Sequence, residues 1–64
     1  SSAEARQRLE EALRIDPNLY VAHLKLGELQ LAAGERAAAQ QHLTRAAESP
    51  DTSIRRVAMD LLAR

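Results

Sequence analysis

A chain of 64 residues forms one small domain at most, and such a domain buries only about 60% of the surface its unfolded chain exposes, so marginal stability is expected. Its hydrophobic content, 45%, is mostly Ala and Leu with Tyr20 as the single aromatic, a helix-forming and strand-poor composition that predicts an all-α fold. No Cys is present and nine basic residues balance nine acidic ones, which excludes a disulfide framework, a thiolate metal site and the broad positive field of a non-specific nucleic-acid binder.

The chain opens with Ser1-Ser2 before AEARQRLEEALRI. Ser2 is the expected N-cap, Glu4 suits the positive end of the helix dipole, and a first helix is predicted over residues 3–15. Its apolar stripe is Ala5, Leu9, Ala12 and Leu13, with Arg6, Arg8, Glu10, Glu11 and Arg14 on a solvated face and Glu10 to Arg14 as an i,i+4 ion pair. Pro17 then disfavours helical geometry at Asp16 and lacks the N–H a continuing helix would need, so the chain turns.

A second helix is predicted from residue 18 or 19 to 33. Leu19, Tyr20, Val21, Ala22, Leu24, Leu26, Leu29, Leu31 and Ala32 spread around most of its circumference, the pattern of a central helix. Gly34 is expected just past its end in the left-handed conformation. A third helix over residues 35–48 has a smooth face at Ala37, Ala38 and Ala39 and one large buried anchor, Leu43. Ser49-Pro50 reads as N-cap and first helical residue of a fourth helix, beginning between residues 50 and 53 and carrying Ile54, Val57, Ala58, Leu61 and Leu62. The predicted core is Leu9, Leu13, Leu26, Leu29, Leu43, Ile54 and Leu61. No apolar run approaches the ~20 residues of a membrane-spanning helix, so no membrane insertion is expected.

The first and third helices superimpose when shifted by 34, with Ala5 on Ala39, Leu9 on Leu43 and Ala12 on Ala46. Self-similarity at such a period signals a solenoid of stacked units. The unit resembles the tetratricopeptide repeat, whose pattern is W-x-x-L-G-x-x-Y, then A-x-x-x-F, then P. Here the pattern falls on His23, Leu26, Gly27 and Gln30, on Ala39 and Leu43, and in the preceding half-unit on Ala5, Leu9 and Pro17. His23 and Gln30 stand where the family places large aromatics, and Pro50 arrives 33 rather than 34 residues after Pro17. The resemblance implies four antiparallel helices in an α-solenoid fragment. Residues 1–16 are then the second helix of a preceding repeat, 17–50 one full repeat, and 51–64, which fits neither register, a capping helix. It also implies that Gly27, Ala39, Ala12 and Ala46 are small because paired helices touch there.

No catalytic constellation is visible. His23 and His42 are 19 residues apart with no i,i+4 partner, so the expected reading is structural rather than metal-binding. The glycines lack a phosphate-loop context and the serines sit where capping explains them. The chain is therefore expected to be non-enzymatic and to need no cofactor or metal. A helix-turn-helix DNA reader would have only Arg36, Gln40, Gln41 and Arg45 to offer and a neutral field.

The resemblance points instead to a protein or peptide partner in a groove lined by the second helix. The groove positions fall on Val21, Leu24, Glu28, Leu31 and Ala32 with Lys25 beside them, and with Leu24 and Glu28 in the places where some family members clamp a C-terminal carboxylate, no such clamp is expected. An amphipathic helix or an extended apolar peptide suits such a surface. The rival reading is a homodimer formed through Ala5, Leu9, Ala12 and Leu13, the stripe whose usual cover would be a preceding helix.

Overall fold

The computed structural model describes residues 1–64 and contains four helices and no strands: α1 (Ser2–Ile15), α2 (Tyr20–Ala32), α3 (Arg36–Ala46) and α4 (Thr52–Leu62). Each boundary has a local cause. Ser1, rather than Ser2, caps α1 by accepting from the Glu4 N–H. Ahead of Pro17, Asp16 leaves helical geometry at φ −133° and ψ 92°, and its carboxylate then accepts from the Asn18 N–H at 3.1 Å, an Asx turn that reverses the chain. Helix α2 ends at Gly34, φ +78°. There the Glu35 N–H donates to the Gln30 carbonyl and the Gly34 N–H to that of Leu31, the paired bonds of a Schellman cap.

The last boundary differs from the Ser-Pro opening the sequence suggests. Asp51 is the N-cap of α4, its Oδ1 accepting from the N–H groups of Ser53 and Ile54. Ser49, almost fully buried, accepts from the Asp51 N–H instead and so fixes the turn that presents the cap. The shorter Asp51 carboxylate contact, 2.8 Å, is a charge-assisted bond to a helix N-terminus, which a serine hydroxyl placed two residues earlier cannot supply.

Packing follows chain order. Helix α1 lies on α2, α2 shares its largest interface with α3, and α4 covers α3 and part of α2. Leu26 and Leu43 are the largest fully buried side chains, and Leu24, Ala39, Leu43, Ala46 and Ala58 form one continuous core with Ile54, Leu61 and Leu62 packed against it. Leu9, Leu13, Leu29, Ile54 and Leu61, expected in the core, are only half-buried, the last two packed against its edge. For Leu9 and Leu13 the reason is that α1 has one neighbour among the helices, so its apolar stripe is covered on one side only. Val57, also assigned to the inner stripe of the fourth helix, remains 40% exposed.

Small residues set the spacing of α2 and α3. A Cβ built on Gly27 would lie 2.6 Å from Leu43 Cδ2, a distance at which real atoms overlap, so only glycine allows this approach without displacing Leu43. Ala39 and Ala46, both without exposed surface, keep the facing side of α3 equally flat. The close contact that the repeat pattern implied at Gly27 and Ala39 is thus the centre of the fold.

Candidate functional site

Helix α2 presents two faces of different chemistry. Inward it carries Ala22, His23, Leu24, Leu26, Gly27 and Gln30, all buried. Outward, Val21, Lys25, Glu28 and Ala32 recur at i, i+4, i+7 and i+11 and are all exposed, which places them on one helical stripe. Leu24, grouped by sequence with this surface, belongs to the core beside Ala39 and Ala46, and Leu31 is half-buried at the edge between the two faces. Lys25 and Glu28 form no ion pair with each other or with any other residue of the chain, so the lysine–glutamate pair expected on this surface is instead two free charges of opposite sign.

The inward face holds a polar cluster that sequence spacing could not reveal. His23 and His42, from α2 and α3, meet with ring centroids 5.5 Å apart. His42 Nδ1 donates to Gln30 Oε1 at 3.0 Å, and His23 Nε2 donates to the Pro17 carbonyl at 2.8 Å. Since a carbonyl only accepts, Nε2 carries the His23 proton. His23 Nδ1 is then an acceptor that is buried without a partner, at a cost of about 1–3 kcal/mol. Burial, and next the neighbouring His23, hold the His42 imidazole below its ordinary value, opposed by the Ala38 carbonyl and by Glu10 of α1. His23 and Gln30 therefore replace the family's packed aromatics with hydrogen bonds that tie α2 to α3 and to the turn before it. No three His, Asp or Glu side chains converge as metal ligands would.

Arg45 was counted by sequence among possible nucleic-acid readers, and the structure gives it another task. Its Nη2 donates to Asn18 Oδ1 at 2.8 Å and to the Pro17 carbonyl at 3.3 Å, its guanidinium lies 5.7 Å from the Tyr20 ring centre, and its Nη1 pairs with Glu48. One half-buried cation thus fastens the end of α3 to the turn that opens α2. At the opposite end Arg6 of α1 pairs with Glu35 at 2.7 Å. Both links join residues about 28 positions apart, and neither left a local sequence signal. On α1 itself Arg14 pairs with Glu11 rather than with Glu10.

The predicted self-association stripe lies together on α1: Leu9, Ala12 and Leu13 are half-buried and Ala5 is exposed. No residue of α1 is buried, and Ile15 at its end is 79% exposed.

The chain matches the tetratricopeptide repeat family over residues 2–64. Comparison with curated proteins and with solved structures returns no match. Tetratricopeptide repeats generally mediate contacts between proteins. With the glycine-mediated α2–α3 contact, the recurring small residues and a family match along almost its whole length, this chain belongs to the tetratricopeptide repeat family.

Proposed function

We propose that this chain is a non-catalytic docking module that binds a helix or peptide of a partner protein along the outward stripe of α2, at Val21, Lys25, Glu28 and Ala32 with Leu31 at its edge. Residues 17–50 act as one repeat, 1–16 as the second helix of another, and α4 as a cap. The single observation that carries this reading is the stripe itself. It is exposed, one helix face wide and mixed in polarity, and its two charges have no partner within the chain. A partner helix laying an apolar edge on Val21 and Ala32 could pair both charges, the mode in which an amphipathic helix enters a groove.

The test uses a photo-reactive side chain in the protein at position 28, on the stripe, or at position 15, on α1. Cross-links to a second protein from position 28 but not from 15, lost on Val21→Glu, are the expected result. Cross-links from both positions only to other copies of the chain would reject the reading.

A second reading has its own observation: α1 lies on a single helix and has no buried residue. Self-association through Ala5, Leu9, Ala12 and Leu13 would complete its burial, most simply by a two-fold dimer. It predicts a melting temperature that rises with protein concentration and loses that dependence, but not helicity, on Leu9→Glu. Sedimentation as a monomer at high micromolar concentration rejects it.

A further inference from the structure

A cleft of about 250 Å³ opens where the C-terminal ends of α2 and α4 meet α3. Fully buried Leu43 lies at its base, and half-buried Leu31, Leu61 and Leu62 line it. The rest of the lining is Arg36, Gln40 and Arg64, none of which has a carboxylate side chain. Neither arginine takes part in an ion pair. The acid next to Arg36 in sequence, Glu35, pairs with Arg6 of α1, and Asp60 is exposed and does not line the cleft. Partly exposed leucines are thus edged by two guanidinium groups that pair with no carboxylate side chain of the protein. Such groups suit carboxylates by their planar, weakly hydrated fork of donors.

We propose that the cleft receives one turn of a partner helix that presents a leucine-sized side chain to Leu31, Leu61 and Leu62 and an aspartate or glutamate to Arg36 and Arg64. The inference rests on the docking role proposed above and adds to it the chemistry of the partner. Leu31 and Glu28 lie one helical turn apart on α2, so the cleft continues the exposed stripe and one acidic amphipathic helix can occupy both. The occupant is a helical segment whose acidic and apolar side chains recur at the same spacing.

The probe is an acetylated, amidated dodecapeptide of three Ala-Glu-Leu-Ala repeats, titrated into the full chain while leucine methyl resonances are followed. The expected result is a shift of the Leu31, Leu61 and Leu62 methyls. Arg36→Glu should weaken the titration about five- to tenfold at low salt and Arg36→Gln less, whereas Arg8→Glu, an equal change of charge on α1, should not. Both Arg36 variants alter an exposed position at a helix start, and a melting curve for each confirms that it folds. Glutamine for glutamate in the peptide should mimic the Arg36 effect, and alanine for leucine should abolish the shifts.

No shift of these methyls up to about 1 mM peptide, or shifts indifferent to the peptide's charge or equally sensitive to Arg8→Glu, would overturn the proposal. If the cleft fails but cross-linking from position 28 to a second protein persists, the docking role stands and only the partner's chemistry is wrong. If both fail, the docking role falls with it.

Discussion

Helices α1 and α2 contrast in a way that separates forming a helix from burying one. Helix α1 is the longer, has a side-chain N-cap, an acid in its first turn, a base in its last and a single apolar stripe, yet none of its residues is buried. Helix α2 has no side-chain cap and no charge at either end that favours its dipole, yet six of its residues are buried. Local signals stabilise a helix that must stand partly on its own in water, whereas a helix enclosed by neighbours draws its stability from tertiary packing. The outer helix is held by signals at its own ends, and the inner one by the residues it buries.

The largest expected effect tests that contrast at its extremes. Leu43→Ala, at the α2–α3 contact, should cost about 2–5 kcal/mol. A domain of this length has roughly 3–10 kcal/mol of stability in all, so the variant should be partly or wholly unfolded by circular dichroism at room temperature. Leu9→Ala, half-buried on α1, should cost only about 1 kcal/mol and leave the helical signal intact. Equal losses in denaturant titration would mean that α1 and α3 carry the fold alike, against the burial pattern.

Gly27 comes next. Gly27→Leu should overpack the helix pair by about 1–3 kcal/mol. The sharper variant is Gly27→Ala, because helix propensity alone would make it stabilising by about 0.5–1 kcal/mol, while its Cβ would overlap Leu43. A lower melting temperature for the alanine variant shows that the steric term wins; a higher one would show that Leu43 moves aside at little cost.

The smallest effect concerns the histidine cluster. The His42 imidazole titrates below its ordinary value in the folded chain, so the unfolded chain takes up that proton first. Its contribution to stability is complete above the unfolded value near 6.5 and is lost as pH falls through the lower folded value. Melts compared between about pH 7.5 and 5.5 should therefore show a greater loss for the natural chain than for His42→Gln, the difference isolating His42 from His23. Identical profiles would indicate that His42 is as open to water when folded as when unfolded.

Four helices in order and the resemblance to the family were legible from the residues alone, although the caps of α1 and α4 were not. Proline and glycine act through φ at their own positions, caps reach only two or three residues, and the repeated spacing of Ala5, Leu9 and Ala12 against Ala39, Leu43 and Ala46 follows from one packing unit used twice. The resemblance to the repeat pattern also implied that paired helices touch at Gly27, where a Cβ would meet Leu43. Of the groove positions that the resemblance implied, Val21, Lys25, Glu28 and Ala32 lie exposed together on α2.

Only the tertiary structure decided the rest. On a helix apolar nearly all round, period does not say which leucine faces in, and the position of α3 and α4 turned Leu24 into the core and left Leu31 at the margin. His23 and His42, Arg45 and Asn18, and Arg6 and Glu35 are brought together by the turns between helices, over separations at which a chain has no local preference. The cleft edged by Arg36 and Arg64 exists only because three helix ends converge on it, and Glu35, next to Arg36 in sequence, pairs with Arg6 instead.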